Sequence, residues 1–470
     1  MSRIKIYQLV IHFFKSSCFV LLSFMFLSIN FSFSQSTDNY IFKSGERVCF
    51  IGNSITSNGG FFHNVFLYYI TRFPKQQISF FNCGVSGDIA GGVINRLQND
   101  ILVHNPTCAV LMLGMNDVRR NFYSEKVINN KDTLNYRKNA ISIYRESVEK
   151  IIQILNSEKI RVILQKPSIY DQTASISTPN NLGVNDALRS CGDVIDSLAI
   201  KYNIQVIDYW SILNNINKQL QENNPAASII GNDRVHPGLT GHFIMAYEFL
   251  KTQNVPHIVS ETTINIKEQK IETDNCTISD LMLDDKIRFK MKENSLPFPI
   301  TSDEEYGTTL IPFCTELNSQ RLIITGLKDS IYRLYIDSLE ISYFTSKELN
   351  DGINLASFKA TPQNQQAIKV KFILSELWNL ESIVRSIKFI EYGSDLKHFP
   401  YKEEPDKVVA FLKPVFDKKG SSFFNRQLEI YAENKINEIK ILSQISKLRE
   451  KAYEEAQPVN HCLMISPIIK

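Results

Sequence analysis

The stretch Arg47-Val48-Cys49-Phe50-Ile51-Gly52-Asn53-Ser54-Ile55-Thr56 decides the fold. Residues 47–51 are nearly continuous in apolar side chains, as a strand buried on both faces must be. Gly52 permits a turn, and Ser54 stands just beyond it. In an open parallel sheet, ligands bind past the carboxyl ends of the strands. A serine held there is either a nucleophile or the N-cap of the following helix.

Outward from this stretch the same grammar repeats. Residues 78–83, 107–113, 161–165 and 204–209 read as further strands, and 61–72, 89–103, 136–156 and 181–202 have helical spacing. In the third of these, Ile141, Val148, Ile151, Ile152 and Leu155 share one face. A last helix follows Pro237. Strand–helix alternation at this spacing predicts an α/β fold, a parallel sheet covered by helices on both faces, over residues 35–257.

Residues 258–320 read as a polar connector, and the pattern changes after it. Residues 321–325, 332–336 and 340–344 are short strands, with Gly326 and Asp337-Ser338 as turns, which predicts a small antiparallel sheet. Thr361-Pro362 opens a helix, with Thr361 as cap and Pro362 at the first position. Leu428, Tyr431, Ile436, Ile439, Leu442, Ile445 and Leu448 then predict a long amphipathic helix running to about Ala456. Such a helix either forms a homodimer contact or docks on its own domain. Residues 321–470 thus form a C-terminal α+β accessory region, and they carry no motif that assigns a role.

Composition bounds the rest. The 470 residues are 43% hydrophobic and 21% charged, an ordinary globular mix for two or three domains. The 52 Lys+Arg against 49 Asp+Glu leave a formal charge of +3, with no case for a nucleic-acid partner. Residues 1–34 begin with Arg3 and Lys5, continue through the apolar run 18–27, and end on the small residues Ser32 and Ser34. This is the order of a cleaved secretory signal, so the expected location is secreted or periplasmic with no membrane span left. The seven later cysteines show no metal-ligand spacing and read as buried thiols; Cys276 and Cys314 are the pair best suited to a disulfide.

Three further blocks give Ser54 a context. Cys83-Gly84-Val85-Ser86-Gly87-Asp88 ends the second strand, Gly114-Met115-Asn116-Asp117 ends the third, and Asp233-Arg234-Val235-His236-Pro237-Gly238 precedes the final helix. All lie on one side of the predicted sheet. Acyl transfer needs a nucleophile, a base, an orienting acid and donors for the oxyanion. Ser54, His236 and Asp233 fill the first three roles. The Gly87 N–H, the Asn116 amide and the Ser54 N–H can supply donors. Asn53, Asp88 and Asp117 are possible substrate contacts, and Arg119, Arg120 and Tyr170 possible lining of the cleft mouth. His63, His104 and His242 read as packing or helix-end residues.

With these blocks in this order, the sequence resembles the SGNH (GDSL-type) hydrolase family over residues 45–252: Gly-Asn-Ser-Ile at 52–55, Ser-Gly-Asp at 86–88, Gly-Met-Asn-Asp at 114–117 and Asp-x-x-His-Pro at 233–237. The resemblance implies a flavodoxin-like three-layer αβα sandwich. It implies metal-free and cofactor-free ester hydrolysis with Ser54 as nucleophile, His236 as base and Asp233 orienting it. It also implies an oxyanion hole of Ser54, Gly87 and Asn116. One residue departs from the pattern: Asn53 stands where the family usually has aspartate. The polar loop 171–180 favours a hydroxyl-rich substrate, so the expected activity is removal of acetyl groups from carbohydrate. A lysophospholipase or thioesterase, or an inactive glycan-binding or scaffold protein, are the competing readings.

Overall fold

A computed structural model describes residues 41–127, 130–328 and 330–468; the secretory pattern in 1–34 lies outside them. Five strands, β1 (Arg47–Gly52), β2 (Ser79–Gly84), β3 (Cys108–Met112), β4 (Arg161–Gln165) and β5 (Gln205–Ile207), form one sheet in the order β2-β1-β3-β4-β5. Every pairing in it is parallel. β1 lies between β2 and β3, so the chain winds outward from it both ways and the strand order reverses beside Ser54.

The helices follow the predicted alternation. After the single turn α1 (Ser54–Ser57) come α2 (Gly60–Arg72), α3 (Ala90–Arg96), α4 (Lys131–Ser157), α5 (Val184–Tyr202), α6 (Tyr209–Asn223) and α7 (Leu239–Thr252). α2 packs on α7, while α4 packs on α3 and α5. The expected α4 stripe holds: Val148, Ile151, Ile152 and Leu155 are buried, and Ile141 is partly buried against the core.

Beyond α7 the structure departs from the expected connector. Residues 258–293 form four strands, β6 (Ile258–Asn265), β7 (Lys270–Asp274), β8 (Cys276–Leu283) and β9 (Ile287–Glu293). Their polar look has a plain cause: β7 is exposed throughout, and β9 alternates between buried and exposed positions. The later strands are β10 (Ser319–Thr325), β11 (Ile331–Ile336), β12 (Leu339–Thr345), β13 (Ile353–Asn354) and β14 (His461–Pro467). The small antiparallel sheet becomes two sheets. β10 leaves its sequence neighbours to pair in parallel with β6, in the order β13-β10-β6-β7. β11 and β12 join an antiparallel sheet ordered β12-β11-β14-β9-β8. Ile264, Leu322 and Ile324 from the first share a core with Phe289, Leu334, Leu463 and Ile465 from the second.

Four helices complete the chain: α8 (Pro362–Glu391), α9 (Pro405–Lys419), α10 (Ser422–Asn434) and α11 (Glu438–Glu455). α8 opens as read, with the Thr361 side chain accepting from the Asn364 N–H. The long terminal helix does not run unbroken. A short turn at Lys435–Asn437 separates α10 from α11 and shifts the helical phase, which leaves Ile436 and Ile439 exposed while Leu428, Tyr431, Ile441 and Ile445 are buried.

The two halves share one core. Ala367, Val370, Leu374 and Leu377 of α8 and Ile441, Ile445, Ala452 and Tyr453 of α11 belong to the cluster that contains β1 and β3. Tyr453 accepts from the Ile78 N–H at 3.0 Å and donates to the Ile78 carbonyl at 3.1 Å, at the start of edge strand β2. The C-terminal helices thus cover a sheet edge that would otherwise offer unpaired backbone. The cysteines at 49, 83, 108, 191, 276, 314 and 462 are all free thiols, so the Cys276–Cys314 pairing is not present. No helix among the described residues is long and apolar enough to cross a membrane.

Candidate active site

β1 ends at Gly52 because nothing larger fits: an added Cβ would sit 2.7 Å from the Met112 carbonyl oxygen of β3. The chain then turns into α1. Its cap is Asn53, not Ser54: the Asn53 Oδ1 accepts from the Ile55 N–H at 3.1 Å, and the residue is 1% exposed. This releases the Ser54 hydroxyl from capping and presents it at the end of the sheet.

The Ser54 Oγ lies 2.7 Å from His236 Nε2, across 182 residues of sequence. His236 Nδ1 lies 2.5 Å from Asp233 Oδ2. The other carboxylate oxygen, Oδ1, accepts from the N–H groups of Val235 at 2.9 Å and His236 at 3.0 Å. Burial pushes the Asp233 carboxyl up, but the His236 ring and these two amides outweigh it and hold it below the usual carboxylate value. With Asp233 ionised, Nδ1 keeps its hydrogen and Nε2 is left free to accept one from Ser54. The arrangement can activate a serine hydroxyl as a nucleophile.

The turn that carries both Asp233 and His236 is held by a residue the sequence reading passed over. Arg234 adopts a left-handed backbone, φ 64°, and is 3% exposed. Its guanidinium donates to the carbonyls of Asp171, Ala174, Ile176 and Thr178 at 2.9–3.1 Å. The polar loop 171–180 is therefore tied to the triad turn. Asp171 orders the loop from within, accepting from Thr173, Ala174 and Ser228.

Gly87 also has a left-handed backbone, φ 80°, and is exposed beside the site. Asn116 donates one amide N–H to the Asp88 carbonyl at 2.9 Å and accepts from Arg120 at 3.1 Å. The side-chain oxygens of Asn53, Asp88 and Asp117 all accept hydrogen bonds within the protein. The Asp88 carboxylate accepts from Arg96 Nε at 2.8 Å and from the Ile89 N–H at 2.9 Å. Asp117 accepts from the N–H groups of Ala90 and Gly114 at 2.8 and 2.9 Å, joining the second block to the third. Burial raises the Asp117 carboxyl to about 6. Any contact these three residues make with substrate would be added to these internal bonds.

Of the remaining residues, Arg120 sits at the site, donating to the Met115 carbonyl at 2.8 Å. Arg119 is exposed, and Tyr170 is buried with its hydroxyl accepting from the Asn181 N–H. His242 lies behind His236 and stacks on Phe61; burial, then the charge of His236, lowers it to about 4. His63 stacks on Trp378 of α8 at 4.2 Å, and burial holds it well below the ordinary histidine value. His104 stacks on Phe81.

Residues 50–244 match the GDSL-like Lipase/Acylhydrolase family. An acetylxylan esterase of Geobacillus stearothermophilus is 26% identical over 229 residues, covering 44% of this chain and 94% of that protein. A solved structure of a gut microbial diltiazem-metabolizing enzyme superposes with a TM-score of 0.82 at 27% identity, covering 91% of this chain and 99% of that one. That likeness extends through the C-terminal half. Over residues 50–244 this chain is similar to the GDSL-like lipases and acylhydrolases, and the protein is an ester-hydrolysing hydrolase.

Proposed function

We propose that this ester hydrolase removes small acyl groups, acetyl first among them, from hydroxyl-rich carbohydrate, through an acyl-enzyme on Ser54. The observation that carries the reading is the unbroken line from Ser54 Oγ through His236 to Asp233, at 2.7 and 2.5 Å. His236 Nε2 takes the Ser54 proton as Oγ attacks the ester carbonyl carbon. The oxyanion is received by the N–H groups of Ser54 and Gly87 and by the second N–H of Asn116, whose first is committed to Asp88. Collapse breaks the bond to the sugar oxygen, which takes the proton from His236. Water, deprotonated by His236, then releases acetate and restores Ser54.

Two features support a bulky, hydrated alcohol portion. The site is open, with 35% of the His236 and 52% of the Asp233 side chain exposed, so a large sugar can approach. The neighbouring loop 171–180 is polar and fixed by Arg234. The acetylxylan esterase relative supports the same class. The pattern in residues 1–34 supports action outside the cytoplasm.

Release of the carboxylic acid from acetylated xylan, acetylated pectin, diltiazem and a long-chain acyl ester, with wild type and Ser54→Ala side by side, tests the reading. The expected result is acetate from the carbohydrate esters, lost by several orders of magnitude in Ser54→Ala. Good turnover of long acyl chains with none of the acetyl esters overturns it. Self-association would draw on the exposed Ile436 and Ile439, and light scattering of wild type against Ile436→Glu tests it.

A further inference from the structure

The oxyanion side of the site is connected to the C-terminal half by a line of buried charges. Asp88, whose carbonyl holds the Asn116 amide, gives its carboxylate to Arg96 Nε at 2.8 Å. The same guanidinium donates through Nη2 to the Gly52 carbonyl at 3.2 Å, two residues before Ser54. Its Nη1 donates to Asp100 Oδ2 at 2.6 Å. Asp100 in turn receives two N–H bonds from Arg385 of α8, at 3.0 Å on Oδ1 and 3.1 Å on Oδ2, across 285 residues. The side chains of Arg96, Asp100 and Arg385 are 1%, 1% and 4% exposed.

We propose that Arg385 is a positioning residue for the oxyanion hole: by satisfying Asp100 it frees Arg96 to hold Asp88 and the Gly52 carbonyl, and through them Asn116 and the Ser54 turn. This rests on the Ser54 esterase reading. A carboxylate buried to this degree must find its donors inside the protein. With Arg385 in place, Asp100 has two guanidinium groups, and Arg96 can divide its five N–H groups among three acceptors. Without Arg385, Asp100 has Arg96 alone. The guanidinium is then drawn toward Asp100 and away from Asp88 and Gly52, and both walls of the hole lose their anchor. A purely structural ion pair between two packed halves has no need to reach the nucleophile turn; this one does so from Arg385 through Asp100 and Arg96 to the Gly52 carbonyl.

The network also gives the C-terminal half a role in turnover. α8 brings Arg385 to the back of the active-site loops, so the hydrolytic half lacks part of its positioning when α8 is not docked.

The test compares full-length wild type with Arg385→Ala, Arg385→Lys and Gln366→Ala. Gln366 also belongs to α8, but it bonds the carbonyls of Glu455 and Gln457 and does not touch the charged line. Expected for Arg385→Ala is a fall in kcat of about tenfold or more with KM within about twofold, because misplaced donors cost transition-state stabilisation and not binding. Millimolar guanidinium restores part of that kcat by filling the vacated site. Arg385→Lys, which keeps the charge but not the two-point bond, falls in between and serves if the alanine variant does not fold. Gln366→Ala lowers the thermal midpoint with kcat unchanged. Hydrogen exchange over residues 84–92 is read in parallel and is expected to rise in Arg385→Ala beyond any rise in Gln366→Ala. A kcat within about twofold of wild type with unchanged exchange overturns the proposal, and so does an equal loss of kcat in Gln366→Ala. If wild type hydrolyses no ester, the esterase reading fails on its own, and exchange over 84–92 still decides whether Arg385 holds these loops.

Discussion

In Asp233→Asn, the N–H groups of Val235 and His236 keep an acceptor in the amide oxygen, because both bond Oδ1, at 2.9 and 3.0 Å. The turn should therefore stay folded. What changes is the partner of His236 Nδ1, now an NH₂ group at the position of Oδ2, 2.5 Å away. A donor there forces Nδ1 to accept, which moves the imidazole hydrogen to Nε2, facing Ser54 at 2.7 Å. The base then has no lone pair for the serine proton, and the imidazolium loses its counter-charge. Wrong-tautomer substitution of this kind costs about 10⁴ in kcat, or about 5.5 kcal/mol in the transition state. KM should stay within a few-fold, and the stability within about 1 kcal/mol of wild type, since the backbone acceptor is conserved. Steady-state acetate release with a small acetyl ester, alongside a thermal melt, reads both quantities. A loss of kcat below tenfold would show that Asp233 does not set the His236 tautomer and would refute the assignment.

Three further outcomes follow from the same geometry. Burial raises Asp117 to about 6 from an ordinary value of 3.8, so the folded state holds its proton more tightly than the unfolded one; the associated stability is present below about pH 4 and is lost as pH rises through about 6, a separation worth about 3 kcal/mol. Thermal midpoints from pH 4 to 7 should therefore fall less in Asp117→Asn than in wild type, and identical slopes would contradict this. Arg234→Met leaves four loop carbonyls without their charged donor and should cost about 3 kcal/mol on chemical denaturation, with kcat falling as the triad turn loosens. Asn53→Asp keeps an acceptor for the Ile55 N–H, so turnover should change by less than about threefold; a larger change in kcat would mean that position 53 acts on the chemistry itself.

The hydrolytic half was legible because its signals are local. The strand at β1 is apolar along its length, and α4 repeats its stripe at the helical period. Ser54, Asp233 and His236 each lie within a few residues of a turn signal, and the fold brings them together as those turns require. The C-terminal half hid its structure in non-local pairing. β7 is exposed on both faces and gives no alternation. β10 pairs with β6 some 60 residues earlier, in parallel, where its own hairpin neighbours lay nearer. Ile436 continues an apolar series in sequence, yet a three-residue turn puts it in water. The burial of Asp100 and Arg385 has no local signal, because they pair with each other across 285 residues. Arg234 lies inside the Asp233–His236 motif, but its role is not local: the carbonyls it holds lie 56–63 residues earlier in the chain.

The position of β14 bears on how the molecule is made. It is the last strand in chain order, yet it lies at the centre of its sheet, between β11 and β9. During synthesis β8–β9 and β11–β12 emerge as two separate hairpins with a strand-wide gap between them, and residues 461–467 close that gap only after everything before them has left the ribosome. Until then the edges facing the gap are templates for other chains, and β2 also waits for Tyr453. The nascent protein therefore carries an almost complete esterase half beside an unfinished C-terminal half, a state in which a holding chaperone would find exposed strand edges to bind.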